Sequence, residues 1–434
     1  FKQKTAYEIM PSLVGSEMCI RDRSKVKNPK LAKQGKISYE WARSHMQILD
    51  NTINRLKKSK PLKGITLGFC LHITKETSVL LMGAKELGAN VACCGGNPLT
   101  TQDDIAAFLA SQGIHTYCWA GQSPKEYDWC IQQVLNHKPQ ILTDDGSDMN
   151  IKAHFDKKYN SLKIFGATEE TTAGVNRIRA VEKDGKLRYP VISVNDAYTK
   201  HMFDNKYGTG QSTIDGYLRA MNLLLASKRI VVAGYGWVGK GVAANCRGMN
   251  AKVIVTEVDP VRALEAHMDG FDVMPMSQAA KIGEIFITTT GMTSIIRKEH
   301  ILTMKDGVVL GNVGHFDVEV DSKFLLKQSK SVRRVRPYLD ECVLKNGKKV
   351  YLIGEGRIAN LTAAEGHPPE VMAQSFSNQL LSILYILKNH SKMPKKVVSV
   401  PKEIDKQIAI DALKAMNVKI DKLTKEQIKY MGSW

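Results

Sequence analysis

The sequence predicts an α/β protein with two parallel-sheet units, and two observations carry this prediction. Across residues 38–207, short apolar runs alternate with helical segments of roughly 10–15 residues. A second series of the same kind begins at Arg229, after a helix for which Ser212 is the predicted N-cap. Strands that alternate with helices form β-α-β units, and such units build parallel sheets. We therefore predict two substantial α/β domains.

The predicted elements succeed one another along the whole chain. In the first series, the predicted strands are residues 65–71, 90–94, 114–119, 140–143, 161–166 and 191–194, and the helices between them include residues 77–87, 102–112 and 125–136. In the second series, the predicted strands are residues 230–233, 252–256, 285–288, 308–311 and 351–354. A long amphipathic helix then runs to about Leu387, and a helix-loop-helix covers residues 403–434.

Residues 1–23 stand apart from this pattern. No strand or helix period in that stretch continues into the adjoining fold. We therefore predict that the stretch is non-native or disordered, and we exclude it from the fold prediction.

The composition is strongly basic, with 62 Lys+Arg against 43 Asp+Glu and a formal net charge of +19. Such a balance can attract nucleic acids or anionic membranes. The basic clusters, however, are short, lie far apart in sequence and carry no interleaved aromatic residues on which bases could stack. We interpret the excess as a solvated surface and predict no nucleic-acid partner. A basic nucleic-acid-binding or regulatory protein without turnover stays open as an alternative of another class.

The eight cysteines include no C-x-x-C pair, and the adjacent Cys93 and Cys94 lack the spacing of a zinc site. Several cysteines lie in apolar or Gly-rich surroundings, which is typical of reduced, buried thiols. No apolar run reaches the ~18 residues that a membrane span needs. We therefore predict a cytoplasmic protein that binds neither a metal nor a membrane.

A Gly-rich loop indicates a dinucleotide cofactor. The predicted strand at residues 230–233 is followed at once by Gly234-Tyr235-Gly236-Trp237-Val238-Gly239 and a helix-compatible segment. This G-x-G-x-x-G spacing lets the backbone turn tightly and approach a pyrophosphate at a helix N-terminus. The next predicted strand ends in Glu257, whose carboxylate would bind a ribose 2′-hydroxyl and repel a 2′-phosphate. The motif therefore favours NAD over NADP, although Arg262 lies close by in sequence.

Six further motifs occur in a fixed order along the chain. They are Leu71-His72-Ile73-Thr74-Lys75-Glu76-Thr77, Asp144-Asp145-Gly146, Glu169-Glu170-Thr171-Thr172-Ala173-Gly174-Val175, the polar run at residues 194–208, Gly311-Asn312-Val313-Gly314-His315-Phe316-Asp317, and the run at residues 360–368. Together these motifs resemble the S-adenosylhomocysteine hydrolase (adenosylhomocysteinase) family in its short archaeal and thermophilic-bacterial form. The resemblance covers the chain from about Gly35 onward.

The resemblance implies a particular domain arrangement. A Rossmann NAD-binding domain at residues 208–364 would be inserted into a discontinuous α/β substrate domain at residues 24–207 and 365–400. A short helical C-terminal tail at residues 401–434 would serve oligomerisation. The resemblance also implies a homotetramer whose small-molecule partner is a nucleoside thioether.

Each matching residue receives an implied role from the resemblance. The catalytic residues would be His72, Asp145, Glu170, Lys200, Asp204 and His315. The residues that bind the purine would be Thr74, Glu76, Met372 and Phe376, with Asp145, Glu170, Lys200 and Asp204 also contacting substrate and His367 at the gate between the domains. The residues that contact NAD would be Thr171, Thr172, Ala173, Asn205, Gly234, Gly236, Trp237, Val238, Gly239, Glu257, Arg262, Thr289, Thr290, Asn312, Val313, Gly314, Asn360 and His367.

The activity implied by the resemblance is the reversible hydrolysis of S-adenosyl-L-homocysteine to adenosine and L-homocysteine. A C5′–S thioether expels its thiolate only after activation. Oxidation of the 3′-hydroxyl with NAD acidifies the C4′ proton, and homocysteine then leaves by β-elimination. Water adds to the resulting enone, and NADH returns the hydride to the 3′-carbon. A lysine beside a carboxylate in a dry site, here Lys200, is the base expected for the first step.

Three positions depart from the family's pattern. Thr209 stands where many members have Cys, Trp237 where Asp is common, and Glu365 where an apolar residue is frequent. Glu365 leaves S-inosyl-L-homocysteine open as the substrate of the same mechanism. A simple NAD-dependent dehydrogenase that releases an oxidised product is the remaining rival.

Overall fold

The computed structural model describes residues 24–434, whose strands form two eight-stranded sheets. The prediction for residues 1–23 lies outside the described residues. The α/β fold class predicted from the sequence is confirmed, because helices separate nearly all of the parallel strands.

The strands, numbered along the chain, are β1 (Lys25–Val26), β2 (Thr66–Leu71), β3 (Asn90–Gly95), β4 (His115–Cys118), β5 (Ile141–Asp144), β6 (Gly166–Glu169), β7 (Val191–Ser193), β8 (Arg229–Ala233), β9 (Lys252–Thr256), β10 (Asp272–Val273), β11 (Ile285–Thr288), β12 (Val308–Asn312), β13 (Ser329–Arg336), β14 (Leu339–Leu344), β15 (Lys349–Ile353) and β16 (Val397–Ser399).

The α-helices, numbered in the same way, are α1 (Ala32–His45), α2 (Gln47–Leu56), α3 (Lys75–Glu86), α4 (Asp103–Ser111), α5 (Pro124–Asn136), α6 (Asp148–Phe155), α7 (Thr172–Lys183), α8 (Thr209–Met221), α9 (Trp237–Gly248), α10 (Pro260–Met268), α11 (Met276–Ile282), α12 (Lys298–Thr303), α13 (Ser322–Gln328), α14 (Ala359–Thr362), α15 (Pro369–Asn389), α16 (Lys402–Ala415) and α17 (Lys425–Met431). Short 3₁₀ turns lie at Pro29–Leu31, Lys157–Tyr159, Val194–Asp196 and Gly354–Gly356. A helical turn at Tyr198–Lys200 continues into a π-helix at His201–Gly208, which leads into α8.

The first sheet is parallel throughout, with the strand order β1-β4-β3-β2-β5-β6-β7-β16. The order runs outward in opposite directions from the neighbours β2 and β5. Their carboxyl ends therefore form a topological switch point, which is where α/β sheets bind ligands. Leu71 and Asp144 end these two strands, so the next residues, His72 and Asp145, lie at this crevice.

The strands of the second sheet, β8 to β15, lie between β7 and β16 in sequence. After them, β16 returns to the first sheet and pairs with β7 at its edge. The order of the second sheet is β10-β9-β8-β11-β12-β15-β14-β13, and β8 and β11 are the neighbours at its switch point. The Gly-rich loop comes after β8 and Thr289 comes after β11. Both sheets thus carry predicted site residues at their carboxyl ends.

α15 returns the chain to the first unit. Phe376, Leu380 and Ile383 of this helix are buried in the same apolar core as Ile53 and Leu80. Each fully buried side chain of this kind stabilises the fold by about 1.5–3 kcal/mol. This packing fixes α15 beside the site, even though the helix comes after the second sheet in sequence.

Two details of the sequence prediction are wrong, and one pair of strands is missing from it. Ser212 is not an N-cap, because α8 begins three residues earlier and the Ser212 hydroxyl bonds to the Thr209 carbonyl within the helix. The strand predicted at residues 161–166 is instead β6, and the apolar residues Leu162 and Ile164 pack against a core from the preceding loop. The antiparallel strands β13 and β14 were not expected, since β13 is largely exposed and carries Arg rather than alternating apolar residues.

Among residues 24–434, no helix is both long and apolar enough to cross a membrane.

Candidate active site

A cavity of about 950 Å³ lies between the carboxyl ends of the two sheets. Nearly all of the site residues predicted from the sequence line this cavity; the exceptions are Gly239 and Asn312. The lining comes from strand ends of both sheets, from the π-helix and from α15. Residues far apart in sequence thus meet in one space large enough for a nucleoside and a dinucleotide.

His72, Asp145 and His315 form the first cluster of acid–base groups. His72 Nε2 lies 3.5 Å from Asp145 Oδ2, and His315 Nδ1 lies 3.4 Å from Asp145 Oδ1. Burial lowers the pKa of His72 to about 4, so its ring is neutral at pH 7. The Thr100 hydroxyl lies 2.7 Å from His72 Nδ1 and orients that ring.

Two atoms of this cluster are available to a ligand. Asp145 Oδ1 and His315 Nδ1 are buried and form no hydrogen bond with any described residue. Polar atoms of this kind are costly to bury unless a ligand or a shared proton satisfies them. One potential ligand atom from each of the three residues also lies within 4.8 Å of those of the other two, close enough for a small cation. The absence of a metal stays a prediction.

Glu170, Lys200 and Asp204 form the second cluster. Lys200 Nζ lies 3.6 Å from Glu170 Oε1 and 3.4 Å from Asp204 Oδ1, and it donates a hydrogen bond to Asn205 Oδ1 at 2.8 Å. All three charged side chains are buried. His367 Nδ1, 3.2 Å from the same Asp204 oxygen, links this cluster to the segment that precedes α15.

From the sequence we expect Lys200 to act as the base, but the pKa values of the second cluster favour its protonated form. Burial lowers the pKa of Lys200, but Asp204 and Glu170 raise it more, so the pKa is raised and the ammonium form is favoured. Burial raises the pKa of Asp204, yet Lys200 and His367 outweigh burial and hold that pKa well below its usual range. Burial raises the pKa of Glu170 to about 8 despite the nearby Lys200. Glu170, rather than Lys200, is therefore the group that titrates near neutral pH.

Side chains of α15 complete this cluster, and the sequence prediction missed them. Gln379 donates a hydrogen bond to Glu170 Oε2, and Ser375 donates one to Asp204 Oδ2 at 2.7 Å. Buried polar residues on a helix are unusual, because each needs a partner, and α15 carries several of them. The polar pair at positions 375 and 379, four residues apart, was the signal that could have revealed them.

The predicted purine-binding residues lie at the N-terminus of α3 and on α15. Thr74 is the N-cap of α3 and accepts a hydrogen bond from the Thr77 amide. Glu76 is buried, and its Oε1 forms no hydrogen bond with a described residue but lies 3.2 Å from Lys75 Nζ. Burial raises the pKa of Glu76, although Lys75 opposes this rise. Lys75 Nζ also contacts Glu365 Oε2 at 2.8 Å, so two carboxylates share one ammonium group here.

The Gly-rich loop of the second sheet has the form that a dinucleotide requires. Gly234 has a φ of 98°, which a side chain would strain, and a Cβ at Gly239 would overlap the Gly234 carbonyl. No side chain caps the N-terminus of α9, so its first amide groups are available to an anion. Glu257 accepts a hydrogen bond from the Tyr235 amide at 2.7 Å and lines the cavity beside Arg262. These residues fit a bound NAD.

Gly239 and Asn312 lie behind the cavity wall. Asn312 is fully buried, and its side-chain amide donates to the carbonyls of Gly314 and Phe316 while its Oδ1 accepts from the Gly314 amide. Asn312 therefore holds the loop that carries His315. A direct contact of Asn312 with NAD stays a prediction.

The sequence of the chain matches one family of known proteins along most of its length. A family model described as S-adenosyl-L-homocysteine hydrolase matches residues 23–164, and one described as the NAD binding domain of S-adenosyl-L-homocysteine hydrolase matches residues 205–366. The chain is 54% identical over 411 residues to the adenosylhomocysteinase of Saccharolobus solfataricus, covering 94% of this chain and 98% of that protein. It is 52% identical over 409 residues to the S-inosyl-L-homocysteine hydrolase of Methanocaldococcus jannaschii, with coverage of 94% and 98%. The adenosylhomocysteinase of Aquifex aeolicus is 51% identical over 412 residues, again with coverage of 94% and 98%.

Proposed function

The chain belongs to the S-adenosyl-L-homocysteine hydrolase family, and we propose that it hydrolyses S-adenosyl-L-homocysteine reversibly to adenosine and L-homocysteine with bound NAD. The observation that carries this proposal is the meeting of two buried acid–base clusters in one cavity beside a dinucleotide loop. The proposed domains are residues 24–207 with 365–400 for the substrate and residues 208–364 for NAD.

The second cluster would act on the ribose hydroxyls. Bound NAD supplies a reversible hydride acceptor for the 3′-carbon of the ribose. Lys200 and Asp204 would bind and orient the hydroxyls by charge-assisted hydrogen bonds. Glu170 would take the 3′-hydroxyl proton, because its pKa of about 8 suits a general base near neutral pH.

The first cluster would act at C4′ and at the leaving sulfur. Once C3′ is a ketone, the C4′ proton is acidic, and Asp145 would accept it on Oδ1, which makes no hydrogen bond with a described residue. His72 and His315 flank Asp145 and would relay protons to the departing thiolate and from the incoming water. The burial of all three groups limits access of bulk water to the reactive enone.

The decisive experiment incubates the purified protein with S-adenosyl-L-homocysteine and monitors homocysteine release. Steady release without accumulation of free NADH supports the hydrolase. Accumulation of NADH and an oxidised nucleoside would instead support a dehydrogenase. Steep, salt-dependent binding to duplex DNA without any turnover would support the nucleic-acid alternative. Denaturing the protein and identifying the released dinucleotide tests the choice of NAD over NADP.

Lys75 favours a second candidate, S-inosyl-L-homocysteine, with the same mechanism. An adenine 6-amino group donates a hydrogen bond and suits the Glu76 carboxylate, whereas a 6-oxo group accepts one and suits an ammonium. Lys75 does not line the cavity, but its Nζ lies 3.2 Å from Oε1 of Glu76, which does, so a shift of this side chain would bring an ammonium group to the purine. The ratio of kcat/KM for the two thioether nucleosides decides between them. If the 6-oxo group binds Lys75, Lys75→Met should lower kcat/KM for the inosyl substrate by about 10-fold and spare the adenosyl substrate.

We also propose that the protein is a cytoplasmic homotetramer. The seven described cysteines are buried and free, which fits a reducing compartment. An exposed apolar face around α10, with Val258, Val261 and Met268 at 98%, 73% and 75% exposure, is suited to contact another subunit. Light scattering should give about four times the chain mass of 48.3 kDa. A mass equal to one chain would contradict the tetramer.

A further inference from the structure

Glu169 is the last residue of β6 and directly precedes the site residue Glu170. Its side chain is fully buried and does not line the cavity. In the first sheet, Glu169 is the register partner of Asp144, which in turn directly precedes Asp145. Each of the two acidic pairs therefore has one member in the cavity and one behind it.

The Glu169 carboxyl group binds two loops of the site at once. Its Oε1 accepts hydrogen bonds from the Gly146 amide at 2.8 Å, the Thr171 amide at 3.1 Å and the Thr171 hydroxyl at 3.0 Å. Gly146 comes directly after Asp145, whereas Thr171 is the N-cap of α7 and lines the cavity. A Cβ at Gly174 would overlap this carboxyl group, so the glycine in the motif preserves its space.

The other carboxyl oxygen takes part in a chain of hydrogen bonds. Oε2 lies 2.5 Å from the Ser147 hydroxyl oxygen, and that oxygen lies 3.2 Å from the Gly174 carbonyl. A serine hydroxyl has one proton and cannot donate to both groups fully. If Oε2 carries a proton, Glu169 donates to Ser147 and Ser147 donates to Gly174, and every contact is satisfied.

The charges around Glu169 also favour the neutral acid. No ion pair among residues 24–434 includes Glu169. The neighbouring titratable groups are acidic, namely Asp144 and Asp145, and Arg177 of α7 donates to the Gly146 carbonyl and to Asp148 instead. Burial, reinforced by Asp144 and Asp145, raises the pKa of Glu169 well above its usual range. A buried carboxylate without a cation protonates rather than bearing the cost of desolvation.

We propose that Glu169 is a positioning residue held as a neutral carboxylic acid, which joins the turn of Asp145 to the N-terminus of α7 at Thr171 and Thr172. The acid donates its proton to Ser147 Oγ and accepts through Oε1 from Gly146 and Thr171. Because it is neutral, it orients Asp145 without placing a second negative charge beside it. The catalytic consequence rests on the proposed function, whereas the protonation state does not.

The test compares a substitution that keeps hydrogen-bonding groups at this position with one that removes them. In Glu169→Gln, the amide oxygen can accept from Gly146 and Thr171 while the amide NH₂ donates to Ser147, so kcat should stay within about 3-fold of the wild type. Glu169→Leu has a similar volume but no polar atoms, and kcat should fall roughly 10–100-fold because buried donors lose their acceptor. Glu40→Gln, on the exposed face of α1, is the matched control.

A spectroscopic measurement reports the proton directly. The infrared difference spectrum between the wild type and Glu169→Gln should contain the carbonyl band of a protonated carboxylic acid at pH 7. The corresponding difference spectrum between the wild type and Glu40→Gln should lack this band. This measurement stays decisive if Glu169→Leu does not fold or if the wild type does not hydrolyse the thioether.

Three results would overturn the proposal. An infrared spectrum without the protonated-acid band shows an ionised carboxylate. A Glu169→Gln variant as slow as Glu169→Leu shows that the negative charge is needed. A Glu169→Leu variant with the wild-type rate shows that the carboxyl group positions nothing.

Discussion

The two sheets present their carboxyl ends to the same cavity but contribute different kinds of groups. The first sheet supplies ionisable side chains directly after its strands, such as His72 after β2, Asp145 after β5 and Glu170 after β6. The second sheet supplies mainly glycines and backbone amides after β8 and β11. Proton transfer needs side chains of adjusted pKa, whereas a pyrophosphate needs close approach of the backbone. One fold class thus serves two tasks, because the residues at the carboxyl ends of its strands differ between the two sheets.

Both sheets nevertheless use a buried carboxyl group behind the site. Glu319 is almost fully buried and accepts from the Thr290 amide at 3.0 Å, the Thr290 hydroxyl at 2.7 Å and the Gly291 amide at 2.8 Å. A Cβ at Gly314 would overlap it, just as a Cβ at Gly174 would overlap Glu169. In each unit, one buried acid thus binds a site loop and one glycine leaves room for it; Glu169 joins two segments, whereas the hydrogen bonds to Glu319 come from one loop.

The contrast between an acid–base sheet and a dinucleotide sheet has one exception, His315, which the second sheet contributes to the first cluster. Its removal should have the largest effect. His315→Ala should reduce kcat by ~10²–10⁴-fold, which is the usual contribution of a positioned proton donor or acceptor. The melting temperature should stay close to that of the wild type. His267→Ala, at an exposed position of α10, is the control. Unchanged turnover of His315→Ala would exclude the residue from the chemistry.

A substitution in the Gly-rich loop should affect the cofactor instead. Gly239→Val would press a side chain into the Gly234 carbonyl, and we expect roughly 10–100-fold weaker NAD binding from the resulting strain. The NAD content of the purified protein and its recovery on adding NAD measure this effect. Gly248→Ala, at the other end of α9 with open space around its Cβ, should bind NAD normally. Full NAD content in Gly239→Val would argue against a close backbone approach at this loop.

The pH dependence of the reaction tests whether Glu170, at the end of a strand of the first sheet, is the base. Burial raises the pKa of Glu170 to about 8, so the base form is scarce at pH 6, and kcat/KM should rise about tenfold per pH unit until pH ~8. The hydrogen bond from Gln379 stabilises the ionised form. Gln379→Leu should therefore move the rising limb to higher pH. A flat profile between pH 6 and 8 would contradict Glu170 as the base.

The sequence could reveal much of the fold because its signals are local. A strand followed by G-x-G-x-x-G is recognisable within a few residues, and most predicted strands are present in the sheets. β13 could not be predicted in this way, because an exposed edge strand has no buried face to impose an apolar alternation. Ser212 likewise is a residue type that favours the N-cap position. The π-helix continues directly into α8, however, and this places Ser212 inside the helix.

By itself, the sequence determined the α/β class, the dinucleotide loop and the acidic pairs at two strand ends. The family resemblance already named Asp145 and Glu170 as site residues, but only the tertiary structure showed that Asp144 and Glu169 are buried behind the cavity that Asp145 and Glu170 line. Only the tertiary structure placed α15 against Glu170 and His315 against Asp145. The physical reason is that local patterns depend on neighbouring residues, whereas a pKa or a shared proton depends on burial and on groups distant in sequence.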